Sequence, residues 1–280
     1  MPAHLKWQII ISLILLVNPG VLSSEFNSEG EFLNKKIQYG VYYKIDQGAS
    51  WGVLMDQRMS NLHYEGPGGI LNFGRRAHRP SYISEWSFAR LRYNYSKPAH
   101  KSTVVENPEA GLRYFYLRKL LTPRSYAVYA GGEVNVFGNF RMAQRLGNSY
   151  LHADMIGEIR PRGDLNFSSR FLWRDWYIEL SAAASLIGYT VRVPEYGVSF
   201  ELKEDGGVKT QGFEQQLLMP HNYAHVTTGI FIRESFRGES NPNWFRIGYV
   251  WDYYTMRGKH NLNVSNAVQQ LVLELYFRVR

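Results

Sequence analysis

Apolar and polar side chains alternate with a period of two along much of this chain. In Trp244–Tyr254, WFRIGYVWDYY, one face carries Phe245, Ile247, Tyr249, Trp251 and Tyr253; the other carries Trp244, Arg246, Gly248, Val250, Asp252 and Tyr254. Asp175–Gly188 sets Trp176, Ile178, Leu180, Ala182, Ala184 and Leu186 against Asp175, Tyr177, Glu179, Ser181 and Ser185. Ser125–Asn139 sets Tyr126, Val128, Ala130, Val134 and Val136 against Tyr129, Gly131, Glu133 and Asn135. The last segment opposes Leu271, Leu273, Leu275, Phe277 and Val279 to Gln270, Glu274, Tyr276, Arg278 and Arg280. Successive strand residues point to opposite faces, so each segment predicts an extended strand with one apolar and one polar face. Each is long enough for the roughly 9–11 residues of a membrane-crossing strand, where soluble strands average about 5–6.

Following the pattern back from the C-terminus predicts about twelve strands. They lie near 267–280, 243–256, 223–236, 189–201, 175–188, 163–173, 151–160, 125–139, 110–120, 84–96, 67–76 and 51–63, with 37–46 an alternative to one of the early ones. The fold class this implies is all-β: an antiparallel up-and-down transmembrane β-barrel of about 12 strands, range roughly 10–14. Long connections on one side (257–266, 202–222, 140–150, 97–109) alternate with short ones on the other (237–242, 121–124 and a turn at Pro161-Arg162-Gly163). The reversal near Trp173-Arg174 is too short for the side on which it falls. The glycine-rich YEGPGG, 64–69, reads as a hairpin turn.

Composition agrees with the pattern. Tyr 20, Phe 15 and Trp 7 are an aromatic-rich set, and the mean hydropathy of −0.33 is the average of two alternating faces. Aromatic residues near the expected strand ends (Tyr126, Trp173, Trp176, Trp244, Tyr253, Tyr254, Tyr276) predict interfacial girdles. The absence of cysteine excludes disulfides, thiolate metal sites and a cysteine nucleophile. A formal charge of +8 is spread along the chain instead of gathered in one stripe, which argues against nucleic acid and for anionic headgroups.

Residues 1–23 have the layout of a secretory signal peptide: Lys6, an apolar run from Trp7 to Val17, the break Asn18-Pro19-Gly20, and small residues at Ser23 and Ser24. The run is too short to span roughly 30 Å of hydrocarbon as a helix. Residues 24–280 then form the mature barrel, with Glu25–Lys36 as a polar lead-in. No later stretch has the length of a transmembrane helix, so a membrane location requires a closed barrel.

An export segment followed by aromatic-rich alternating strands, with NWFRIGYVWDYYTMRG and AVQQLVLELYFRVR as the closing pair, resembles the small outer-membrane β-barrels of Gram-negative bacteria. That resemblance implies an outer-membrane location, contact with outer-membrane lipid and lipopolysaccharide, handling by the barrel-insertion machinery, and an envelope protein partner. The chain departs from the usual terminal aromatic residue by ending Phe277-Arg278-Val279-Arg280.

Chemistry is sparse. His225 falls on the polar face of its strand, and His260 precedes Ser265 in a connection, but no nucleophile–base motif surrounds either. No metal-ligand spacing or cofactor motif is present. The expected lumen-facing charges are Glu133, Glu179, Arg233, Arg246, Asp252, Glu274 and Arg278, and such groups pair because an unpaired buried charge is costly. The expected lipid-facing set is Trp176, Ile178, Leu180, Phe245, Ile247, Tyr249, Trp251, Leu271, Leu273, Leu275 and Phe277. The leading expectation is a non-enzymatic outer-membrane protein, a narrow porin-like pore or a structural partner in an envelope complex. The alternatives are a barrel enzyme acting on lipid or lipid A, and a secreted soluble β-sandwich or lipocalin-like binder.

Overall fold

A computed structural model describes residues 39–57, 61–96, 104–121, 126–143, 151–171, 174–192, 200–202, 208–210, 214–236, 242–258 and 263–279. The expected signal peptide and lead-in lie outside them. The strands are β1 (Gly40–Asp56), β2 (His63–His78), β3 (Tyr82–Ser96), β4 (Val105–Leu121), β5 (Tyr126–Ala143), β6 (Leu151–Phe171) and β7 (Arg174–Ala184). They continue with β8 (Ile187–Arg192), β9 (Phe200–Leu202), β10 (Val208–Thr210), β11 (Glu214–Leu218), β12 (Tyr223–Ser235), β13 (Trp244–Arg257) and β14 (Asn263–Arg278).

Every ladder is antiparallel. β1 to β7 pair in sequence, β7 pairs with β12, β12 to β14 follow, and β14 closes on β1 with Tyr42 opposite Arg278 and Asp56 opposite Val264. Closure removes the open edges that a flat sheet would expose. The ring therefore contains ten strands, inside the expected range and two below its centre. β8 and β11 carry the wall onward beside the first half of β6, and β9–β10 form a separate small hairpin.

The two surplus strands came from reading breaks into continuous strands. The turn expected at Pro161-Arg162-Gly163 does not exist, because β6 runs through it. Pro161 opposes Gly132 on β5, while on its other side the partner changes from the start of β8, Ile187 opposite Ile159, to the end of β7, Ala183 opposite Arg162. A residue without an N–H is tolerated where the ladder is already interrupted. Likewise 175–188 and the start of 189–201, as far as Arg192, form one stave, β7 and β8, interrupted at Ser185 and Leu186, while Phe200–Leu202 is β9 of the separate hairpin. With both breaks removed, the reversal between β6 and β7 falls on the same side as the other short connections; Trp173, where it was expected, lies outside the described residues. On that side also lie the start of β1 and the end of β14, and we call it the terminal end.

YEGPGG is likewise no turn. It lies within β2, with Gly52 opposite Gly66 and Trp51 opposite Pro67. The connection expected at 202–222 contains β11, whose Leu218 pairs with Gly188 just before Val226 pairs with Ala184. The four-residue excursion Met219–Asn222 is held by Asn222 Oδ1, which accepts from the Met219 N–H at 2.7 Å. A bulge at Phe88 changes the facing of β3: Glu85 and Ser87 point inward before it, Arg92 after it.

Polarity is reversed relative to a water-soluble protein. Buried residues include Lys44, Arg76, Glu85, Arg141, Arg160, Glu179 and Arg246, while Trp86, Leu112, Met155, Ile159, Ile247 and Leu271 are among the exposed. Charged residues are rarely buried and large apolar ones rarely dominate a surface unless an apolar medium surrounds it. Outward aromatic residues form two rows. Tyr43 lies level with Phe277, and eight residues further along β1, Trp51 lies level with Gln269 and Trp251. That separation is about 26 Å along a strand at roughly 3.3 Å per residue, or about 20 Å after a tilt of roughly 40°. Of the aromatic residues expected in the girdles, Trp244, Tyr254 and Tyr276 point inward and are fully buried.

Candidate functional site: the charged lumen

The inward faces converge in successive layers of paired charges. Near the terminal end, Trp244 and Tyr276 stack at 3.5 Å, with the edge of Tyr42 5.7 Å from Trp244. On the far wall Ile83, Phe115, Leu117, Ala127 and Tyr129 form a second apolar cluster. Above this floor Lys44 meets Glu85 at 2.6 Å and Asp46 at 2.8 Å. Arg76 reaches Glu85 at 3.4 Å and Glu179 at 3.3 Å, and Arg246 binds Glu274 at 2.6 Å and also Glu179. Arg160 and Arg162 converge on Glu133, and Arg162 also meets Asp164 at 3.1 Å.

A third layer surrounds His225. Its Nδ1 lies 2.6 Å from Glu158 and its Nε2 2.8 Å from Asp252, while the Tyr223 hydroxyl donates to Glu158 at 2.9 Å. Arg92 joins Asp252 at 2.6 Å and also pairs with Glu109. Nearest the opposite end, Arg141 meets Asp56 at 3.2 Å and Asp154, and Arg192 meets Asp154 at 2.8 Å. Phe137, Ile156, Leu218, Tyr223, Tyr254, Met256 and Val264 pack as an apolar cluster at that end.

Several of these bonds cross the barrel. Counted round the ring, β2 and β7 stand five positions apart, the maximum for ten strands, and Arg76–Glu179 joins them. Arg92–Asp252 joins β3 to β13, and Asp56–Arg141 joins β1 to β5, each four positions apart. An eight-stranded barrel is just filled by ordinary side chains. Ten strands enclose more, and here the longest side chains, Arg, Tyr and Trp, fill the difference. In this enclosed setting each charge depends on its partner, because burying an ion without one costs several kcal/mol.

The structure places Glu133, Glu179, Arg233, Arg246, Asp252 and Glu274 inward and buried. Arg278 shares their parity but is exposed at the end of β14. Trp176, Ile178, Leu180, Phe245, Ile247, Tyr249, Trp251, Leu271, Leu273, Leu275 and Phe277 all lie on outward faces. Sequence reading missed Lys44, Arg76, Glu85, Arg92, Arg141, Asp154, Glu158 and Arg160. Arg76 and Glu85 show the reason: β2 and β3 contain glycines, a proline and a bulge that obscure the alternation.

His225 has both ring nitrogens occupied by carboxylates, and the nearby Ser185 hydroxyl accepts from the His225 backbone N–H at 2.9 Å instead of from the ring. That arrangement orients an imidazole but presents it with no serine nucleophile. Among the described residues no group of three or more His, Asp or Glu side chains has the geometry of a metal site, and no helix is long and apolar enough to cross a membrane.

No family model matches the chain, and no curated protein matches it in sequence. Its fold is similar to the outer membrane protease OmpT from Escherichia coli, at 8% identity over 86% of this chain and 95% of that one, with a TM-score of 0.40. It is also similar to the translocator domain of the autotransporter NalP from Neisseria meningitidis, at 6% identity over 94% and 97% of the two chains, TM-score 0.43. Neisserial surface protein A aligns at 10% identity over 86% and 99%, TM-score 0.31.

Proposed function

We propose that this protein is a non-enzymatic β-barrel of the Gram-negative outer membrane, exported by a cleaved signal peptide, whose lumen is closed. It serves as a structural partner in an envelope complex and not as a diffusion pore. The reversed polarity supports the membrane location: the outward faces match hydrocarbon, and closure satisfies the backbone where lipid offers no partners. The observation that carries the closed lumen is the Arg76–Glu179 pair between opposite strands, with Arg92–Asp252 and Asp56–Arg141 crossing at other levels. Arg76–Glu179 spans the full width of the path along which a solute would travel, and the other two pairs cross part of it. Interaction then falls to the outer wall and the two ends.

Planar-bilayer recording of the refolded protein tests this. The wild type inserts without steady conductance steps, and the Arg76→Ala/Glu179→Ala/Arg92→Ala variant gains them. Stable steps in the wild type, unchanged in the triple variant, would show a pore whose path avoids these pairs.

A further inference from the structure

We propose that the terminal end of the lumen is a binding site for an oxyanion, a phosphate or carboxylate group, held by Arg233, Tyr177, Tyr129 and His78. Of the seven arginines buried among the described residues, six meet a carboxylate: Arg76, Arg92, Arg141, Arg160, Arg192 and Arg246. Arg233 is the exception. It is only 6% exposed, and among the described residues no carboxylate comes within ion-pair distance of it. Its guanidinium lies 3.7 Å above the Trp244 ring and 5.5 Å from that of Tyr177. These contacts use the π faces of the two rings, which accept no N–H hydrogen bond of ordinary strength, and leave the guanidinium donors for an acceptor.

The neighbours are short of partners in the same way. The Tyr177 and Tyr129 hydroxyls and both ring nitrogens of His78 are buried without a hydrogen-bond partner among the described residues. One chain of ring contacts links them: Tyr39 packs against Tyr177 and meets His78 edge-on at 5.5 Å, and His78 meets Tyr129 at 6.4 Å. Among the described residues, the cations acting on His78 are Arg233, Arg76 and Lys119, and the carboxylate acting on it, Glu179, is taken by Arg76 and Arg246. Water would satisfy the hydroxyls and the imidazole but brings no charge to balance the guanidinium. A cation would be repelled. A carboxylate or phosphate supplies both the charge and several acceptor oxygens in the plane that an arginine fork presents.

This inference rests on the enclosed barrel proposed above, so folding is checked separately by the heat-dependent electrophoretic shift of each sample. The test is calorimetric titration of the detergent-folded protein with inorganic phosphate. Saturable binding is expected, weakened at least about tenfold by Arg233→Gln and about threefold by Tyr177→Phe, with the shift retained. Displacement of phosphate by phosphatidylglycerol micelles, but not phosphatidylcholine, identifies a lipid headgroup as the source. No displacement identifies a free anion. If Arg233→Gln loses its heat shift, the Tyr177→Phe comparison decides. Absence of saturable phosphate binding in a heat-shifting wild type, or equal binding by folded variants, overturns the site, whereas a wild type with no heat shift overturns the barrel itself.

Discussion

Arg76 on β2 and Glu179 on β7 face each other across the full width of the ring, with guanidinium and carboxylate 3.3 Å apart. Neither residue is near the other in sequence, and each has a second partner, Glu85 for Arg76 and Arg246 for Glu179. The pair thus ties two opposite walls into one network.

Breaking that tie leaves a buried charge short of a partner. Glu179→Ala is expected to lower unfolding stability by about 3 kcal/mol, and Arg76→Met/Glu179→Leu to recover much of the loss, since apolar replacements of similar volume carry no desolvation cost. Urea titration of lipid-reconstituted protein, followed by tryptophan fluorescence, measures both. A double variant as unstable as Glu179→Ala would contradict the assignment of the loss to the orphaned charges.

The outer wall makes a different demand. Leu271 is 61% exposed and sits in the middle of β14, in the row between the two aromatic belts. On a water-soluble surface Leu271→Arg would be within about 0.5 kcal/mol of neutral. Facing hydrocarbon two residues inside the Trp51 belt, it is expected to cost about 1–3 kcal/mol, between the interfacial and midplane values. The same urea titration distinguishes them.

Gly248 makes room for an inward aromatic ring. A Cβ there would overlap the Phe231 side chain. Gly248→Ala is therefore expected to destabilise by about 1–3 kcal/mol, and Phe231→Leu introduced with it to restore part of that. Independent, additive losses in the double variant would disprove the steric explanation.

Continuity of β6 through Pro161 can be read by labelling. In the cysteine-free chain, Pro161→Cys is expected to resist a membrane-impermeant maleimide, while Arg79→Cys, in the exposed turn after β2, reacts readily. Equal labelling would restore a turn at 161–162.

Much of the wall was legible because a half-apolar strand writes its facing into every second residue. Expected 243–256, 223–236 and 125–139 correspond to β13, β12 and β5, and the inward charges Arg246, Asp252 and Glu274 follow from the same parity. The errors arose where local chemistry imitates a turn. Pro161 and Pro67 lie inside strands, which sequence cannot reveal unless the partner across the sheet is known. The Phe88 bulge and the Met219–Asn222 excursion each break the period of two without ending a stave. The cross-lumen pairs were not legible at all. Arg76–Glu179 and Arg92–Asp252 depend on the number of strands in the ring and on how they stagger, which alternation does not encode.

The most direct test of the account is electrophoresis of the outer-membrane fraction, with one aliquot boiled in SDS and the other not. A closed hydrogen-bonded barrel is expected in that fraction, with unboiled protein migrating apart from the boiled form. Recovery as a soluble periplasmic protein with identical mobility in both lanes would contradict the membrane barrel, and with it the closed lumen proposed here.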